Sequence, residues 1–444
     1  MKTKLFNLWH SFSSSYWFVP ALMATIAIAL SLGTTAFDTV LPPDVTEKIG
    51  WIYSGGPEGA RSILSTVAGS MITTAGVVFS ITIVVLSLTS SQFGPRLLGK
   101  FIRDTGTQVV LGTFIATFIY CLFTLRVVRS GDSGSFVPHL SITIAFVLAL
   151  ASTAVLIYFI HHISTSIQAD SIISAVYKDL DAAIERHLPE QQGNGAGEPS
   201  RRDVRAALPK EVDRDGWPVA SDTSGYLQAI DYDGLMETAV ENDLILSLHS
   251  RPGKFIAVGE HLVTVWPREH WDEKLAKQVN SSFIQGRQRT DEQDMEYSIH
   301  QLVEVALRAL SPGINDPFTA MTCINWLSAA LGRIAQRKFP SAFSYDDKGK
   351  LRLVSVPVTF AEIVEAAFGQ IRNAAASHVQ VILYLLDAIV AIAPHIRVAE
   401  RRKVLEHHAE LVMQSGREMA HVKDDRRAIE ERYERILQVL ARET

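Results

Sequence analysis

Residues 62–91 read SILSTVAGSMITTAGVVFSITIVVLSLTSS, and no charged side chain occurs from 62 to 95. A transmembrane helix needs about 20 apolar residues to cross a hydrocarbon core of about 30 Å, so this run is long enough to span a bilayer. It is also unusually rich in small and hydroxylated residues. Stepping alternately by four and three from Ser62 gives Ser62, Thr66, Gly69, Thr73, Gly76, Ser80, Ile83, Ser87 and Ser90, and only Ile83 breaks the pattern. Residues three and four apart share a helix face, so one side of the span is small and hydroxylated, with Ile63, Val67, Ile81, Val85 and Leu88 expected opposite. Small faces pack membrane helices closely, and hydroxyl faces can line a polar path or a groove for lipid or a small molecule. As a path, the face offers Thr66, Gly69, Thr73, Gly76, Ser80 and Ser87 as lining positions and Phe79 or Ile83 as an apolar constriction.

Three further stretches lack Asp, Glu, Lys and Arg: 5–37, 105–125 and 133–169. They place spans near 17–37, 63–90, 107–128 and 139–162, inside a transmembrane domain covering 1–165. The first apolar run, Trp17 to Phe37, exceeds a typical signal-peptide core and reads as a retained span, with cleavage near Ala36 as the alternative. Four spans put both ends on one side. Lys2, Lys4, Arg96, Lys100 and Arg103 flank one face of the membrane, while the loop from Asp38 to Arg61 carries Asp38, Asp44, Glu47 and Glu58 against Lys48 and Arg61. The positive-inside rule therefore predicts cytoplasmic termini in a bacterial inner membrane, with Arg126 and Arg129 diluting the bias. Away from their ends the spans contain no Asp, Glu, Lys or Arg to hold a coupling ion or proton, and they show no evident inverted repeat, which argues against a pump or coupled transporter. Neighbouring His161 and His162 point about 100° apart on a helix, so they read as interfacial residues, with a pH-sensitive gate as the sharper alternative.

After Asp170 charges become dense. Residues 166–190 continue as an amphipathic connecting helix, and 191–221 form a linker opened by the Gly, Pro and polar stretch QQGNGAGEPSRRD. Within 222–270, GYLQAID, DLILSLHS, KFIAVG and HLVTVW alternate like short strands around the turn Arg251-Pro252-Gly253-Lys254. Their turns resemble lipoyl- or biotinyl-type barrel-sandwich modules, which predicts a small β-barrel-like module. No acceptor-lysine motif stands at its tip, so Lys254 reads as a turn residue. Residues 271–444 read as a helical domain: 293–310, a helix capped by Asp316 with Pro317 behind it, another over 359–393, and a pair over 397–442. His407 and His408 lack metal-site spacing, and Cys121 and Cys323 offer neither a disulfide framework nor a thiolate cluster. No nucleophile elbow, phosphate loop or catalytic pair is present, so the sequence predicts no enzyme, no cofactor and no metal. A net charge of −5 gives no sign of a nucleic-acid partner.

Three motifs, SYWFVPALM (15–23), SILSTVAGSMITTAGVVFSITIVVLSLTSSQFGPRLL (62–98) and GRQRTDEQDMEYSIHQLVEVALRALSPGINDPFTA (286–320), look like a bacterial predicted-membrane-protein family catalogued as domain of unknown function 2254. The resemblance implies four membrane helices and a cytoplasmic C-terminal domain, and it brings no activity or site residue with it. The expected fold is thus an all-α four-helix transmembrane domain plus an α+β cytoplasmic domain. The expected function is a homo-oligomeric channel or pore whose second span lines a path for ions or small solutes. Its partners would be membrane lipid, further copies of itself and the conducted ions. A membrane-anchored sensor or scaffold, binding a ligand or partner through its cytoplasmic domain, is the alternative.

Overall fold

The computed structural model describes residues 16–40, 52–102, 104–130, 135–189, 215–270 and 272–442. Lys2, Lys4, Asp44, Glu47, Lys48, Arg103 and most of the 191–221 linker lie outside these described residues. The chain divides into two compact units, Met1–Ser171 and Ile172–Thr444.

In the first unit, α1 (Phe18–Val40), α2 (Pro57–Phe93), α3 (Thr105–Val127) and α4 (His139–Ser166) are each long and apolar enough to cross a membrane. The packing centre is α3, which contacts all three others. Gly112 of α3 allows the close approach of α1, because a Cβ there would stand 2.5 Å from Met23 Sδ and 3.3 Å from the Pro20 backbone. Hydroxyls tie α3 to α1 and α4: Ser31 to Thr124 at 3.1 Å and Thr34 to Tyr120 at 3.0 Å join it to α1, and Thr117 to Ser152 at 3.1 Å joins it to α4. Such pairs satisfy polar groups that lipid cannot.

The start of α4 shows how the bundle is locked. Its cap position is Pro138, which has no side-chain acceptor. Asp38, near the end of α1, supplies one instead, accepting from Leu140 N at 2.9 Å, Ser141 N at 3.0 Å and Ser141 Oγ at 2.6 Å. A carboxylate here satisfies free N–H groups and faces the positive end of the helix dipole. Losing a cap typically costs about 1–2 kcal/mol, so Asp38→Ala should lower the thermal unfolding midpoint in detergent and Asp38→Asn should lower it less. An unchanged midpoint in both variants would count against this inter-helix cap.

The second unit opens with α5 (Ala169–His187), whose apolar face carries Ile172, Ile173, Val176, Leu180 and Ile184. Among the described residues eight strands follow: β1 (Trp217–Ala220), β2 (Gly225–Ile230), β3 (Ile245–Leu248), β4 (Phe255–Ile256), β5 (His261–Trp266), β6 (Phe283–Gly286), β7 (Phe343–Tyr345) and β8 (Leu351–Val354). They form a five-stranded sheet in the order β1-β5-β3-β8-β7 and a three-stranded sheet in the order β4-β2-β6. These open sheets replace the barrel-like module read from the alternating segments. A barrel must close on itself, whereas here β1 and β7 end one sheet and β4 and β6 end the other. The sheets share one core, including Leu227, Leu246, Val263 and Leu353, with Leu235 and Ala239 from α6 (Tyr232–Glu241) and Leu275 and Val279 from α7 (Glu273–Ser281).

Helices complete the unit: α8 (Met295–Ala309), α9 (Pro317–Ile334), α10 (Val379–Ile392), α11 (Ala399–Met419) and α12 (Lys423–Arg442). Asp316 caps α9 through Thr319 N at 3.1 Å, with Pro317 in its first turn, as the sequence predicts. The apolar run over 359–393 is divided. A helical segment from Phe360 to Ala374 contains a π turn at Glu365–Gly369, and α10 begins after His378. The segment starts in a capping box formed by Thr359 and Glu362.

Candidate functional site

On α2 every position of the hydroxylated stripe from Ser62 to Ser87 is exposed within the chain, and Ser90 is half-buried. The buried side consists of Ala60, Leu64, Ala68, Ala75, Val78, Thr82, Val85 and Thr89. A Cβ placed at Gly69 or Gly76 would meet no neighbouring helix within 4 Å, so neither glycine serves a close approach inside this chain. At about 100° per residue, Thr66, Gly69, Thr73, Ser80 and Ser87 all fall within about 40° of Thr73, in the middle of the exposed arc, and Gly76 within about 60°.

Other positions fall elsewhere. Ile81 and Leu88, expected opposite the stripe, flank it at about 80° and 60° from Thr73, and both are exposed. Phe79 and Ile83 lie on the other flank, about 120° and 80° from Thr73. The Phe79 ring sits 6.1 Å from that of Trp17. Val84 is the apolar residue nearest the stripe's centre line, about 20° from Thr73 by the same geometry, and it is 66% exposed. The alternating count passed it by, because stepping three from Ser80 lands on Ile83.

Thr73 of the stripe and its neighbours Ser70 and Thr74 have local partners. Thr73 Oγ1 donates to Gly69 O at 2.8 Å, Ser70 Oγ to Thr66 O at 2.8 Å, and Thr74 Oγ1 to Ser70 O at 2.9 Å. A hydroxyl whose proton is committed to its own helix presents only its oxygen lone pairs outward. The exposed surfaces of α1 and α4 differ in kind: Leu22, Ile26, Leu32 and Phe37 on α1, and Phe146, Val147, Leu150, Ile157 and Ile160 on α4. Large apolar side chains suit lipid tails, whereas the exposed arc of α2 mixes them with hydroxyls and glycines.

The two neighbouring histidines have different surroundings. His161 is exposed, while His162 Nε2 lies 2.8 Å from Asp104 Oδ2 and its ring stacks on Tyr158 at 5.3 Å. Asp104 also caps α3 through Thr107 N at 2.9 Å, so one carboxylate joins α3 to α4.

A second polar constellation, invisible to linear reading, lies in the second unit. Arg251, 7% exposed, donates from Nη2 to Glu296 Oε1 at 2.8 Å and from Nη1 to Glu362 Oε2 at 2.9 Å. Beside it Arg289 Nε and Nη2 both donate to Asp294 Oδ2, at 2.8 and 2.5 Å. Burial raises the Asp294 carboxyl above the usual range, with Arg289 opposing and Glu296 reinforcing it. The backbone at Gly253 has φ +91°, and a Cβ there would sit 2.3 Å from Asp294 Oδ2, so only glycine fits this turn. Lys254, half-exposed, places Nζ 4.0 Å from Glu296 Oε2. Nearby sequence does not link these residues, since Glu362 stands 111 positions after Arg251. Among the described residues no group of three or more His, Cys, Asp or Glu side chains could hold a metal ion.

Four helices long and apolar enough to cross a membrane, followed by an α+β unit, are the makeup of a multi-span membrane protein. The chain belongs to the family described as "Predicted membrane protein (DUF2254)", which matches residues 13–391. It is similar to uncharacterized proteins of Mycobacterium tuberculosis strain H37Rv and Mycobacterium bovis, each 32% identical over 416 residues and covering 91% of this chain and 77% of the relative. No solved structure matches it.

Proposed function

We propose that this protein is a homo-oligomeric conduit of the bacterial inner membrane, in which copies of α2 surround a central axis and turn their hydroxylated faces toward it. The carrying observation is the open space at Gly69 and Gly76 along a face of exposed Ser and Thr residues. A chain that used this face for its own packing would bury it. Thr66, Gly69, Thr73, Gly76, Ser80 and Ser87 line the path, and Val84, with Ile83 beside it, supplies the apolar ring that dewets and closes it. Outward lone pairs without fixed charge favour cations weakly over anions. The second unit lies in the cytoplasm, following the basic flanks of the spans, and assembles or regulates the ring. In this reading the protein is not an enzyme and needs no cofactor.

The test is single-channel recording of the purified protein in planar bilayers, beside its mass in lipid nanodiscs. Gly76→Leu is expected to abolish discrete currents while the oligomer persists, because its Cβ enters open space within its own chain. In a Cys121→Ser background, Thr73→Cys should react with a water-soluble thiol reagent in the intact oligomer. The remaining Cys323 is buried, and burial pushes its thiol pKa far up, so it stays silent. A monomer with no current, or a Thr73→Cys protected in a stable oligomer, would refute the central path and leave a packing seam.

A further inference from the structure

The second unit contains a cavity of about 440 Å³ that the conduit does not use. That volume lies within the range of small-molecule sites, about 300–1,000 Å³. Its walls come from the end of α5, the turn at Arg251 and Pro252, the start of α8, and the segments around Ser344 and Val356. Leu188, Pro252, Met295, Val356, Pro357 and Val358 make the lining largely apolar.

Beside the hydroxyls of Tyr232 and Ser344, the lining of this chamber carries two buried carboxylates and a half-buried imidazole. Asp294 and Glu296 are only 4% and 7% exposed. Both Arg289 bonds fall on Asp294 Oδ2 and the Arg251 bond falls on Glu296 Oε1, which leaves Asp294 Oδ1 to a further donor and Glu296 Oε2 facing Lys254 Nζ at 4.0 Å, beyond hydrogen-bond distance. The third acceptor is His187, whose Nε2 is buried without a hydrogen-bond partner while its ring bonds the Glu292 backbone. A ring that donates through Nδ1 to a carbonyl offers a lone pair at Nε2. The guanidinium donors nearby are already committed, Arg251 to two carboxylates and Arg289 to one. Three carboxylates, Asp294, Glu296 and Glu362, face two guanidiniums. The third cation, Lys254, is half-exposed and stands 4.0 Å from Glu296.

A ligand for such a chamber must donate hydrogen bonds, carry positive charge and bring an apolar body. An ammonium has three donors and no acceptor. We propose that this cavity binds a small primary amine with an apolar body, its ammonium held by Asp294 and Glu296. The site is independent of the conduit reading, since it lies wholly within the second unit.

The test uses the full chain in nanodiscs with two matched probes, tryptamine and its acidic counterpart indole-3-acetate, followed by thermal unfolding and calorimetry. Tryptamine should raise the unfolding midpoint in a concentration-dependent way, as any ligand bound only to the native state does, and indole-3-acetate should not. Glu296→Gln and Asp294→Asn should each weaken tryptamine binding tenfold or more. Ser344→Phe, which fills the chamber without touching the carboxylates, should abolish binding while the unliganded protein stays folded, so the proposal remains testable if a carboxylate variant unfolds. Silence with millimolar tryptamine, an equal or stronger response to indole-3-acetate, or amine binding that survives Ser344→Phe would each overturn the assignment.

Discussion

Arg251→Met is expected to cost the second unit about 3–5 kcal/mol, the cost of removing one partner from a buried ion pair. The reason is the environment of Glu296 rather than the bonds alone. Its side chain is 9% exposed, as is that of Arg251, so deleting the guanidinium leaves a carboxylate buried with only the distant, half-exposed Lys254 in view. Glu362 suffers less, because it is 32% exposed and still closes the capping box with Thr359. Arg251→Lys should fall between wild type and Met: an ammonium is a point charge and cannot bridge two carboxylates with a planar fork. The double variant Arg251→Met with Glu296→Leu should recover most of the loss, since replacing both members of a buried pair with apolar residues is often neutral. Denaturant unfolding of the full-length protein, followed with a fluorophore in the second unit, measures all three. A single variant costing under about 1 kcal/mol would mean that water reaches Glu296 and that the pair belongs to the surface class.

The spans and the cap of α9 were legible because each is a local pattern. Charge gaps mark a span by length alone, and Asp316 before Pro317 is a cap by chemistry. The hydroxylated face of α2 was legible for the same reason: a period of three and four residues needs no knowledge of neighbours. That its glycines meet open space was not legible, since it depends on where α3 lies. The β elements divide along this line. Strands β2 to β5 follow from alternation, but the pairing of β3 with β8 joins Leu246 to Leu353 in parallel across a long intervening chain, and alternation says nothing about partners. The hairpin of β7 and β8 had a signal, since Leu351 and Leu353 alternate around Arg352 after an Asp346–Gly349 turn. It was overridden by the helical periodicity on both sides. The Arg251, Glu296 and Glu362 cluster had no linear signal at all. A turn arginine and two helix-start glutamates are ordinary one by one, and burial alone makes them a site.

Acid should destabilise the second unit through His408, on α11. Burial, then the charges of His407 and Arg372, hold its pKa down at about 4. An exposed histidine in the unfolded chain titrates near 6.5. The folded value is the lower one, so between about pH 6.5 and 4 the unfolded chain takes up a proton that the native state refuses, and stability falls as pH falls through that window. Below about pH 4 both states are protonated and the loss is complete. At 1.36 kcal/mol per unit, the displacement amounts to about 3 kcal/mol. Glu365, with its carboxylate 3.7 Å from His408 Nε2, pulls the other way, but it is 59% exposed and screened by water. Arg372 settles the balance: its Nε and Nη1 are buried without a hydrogen-bond partner, so a proton on His408 would set a second cation beside one already poorly served. His408→Leu should therefore flatten the dependence, losing about 3 kcal/mol less than wild type between pH 7 and 4 when denaturation midpoints are compared. Wild type and variant with parallel pH profiles would show that His408 reaches water and charges freely in the native state.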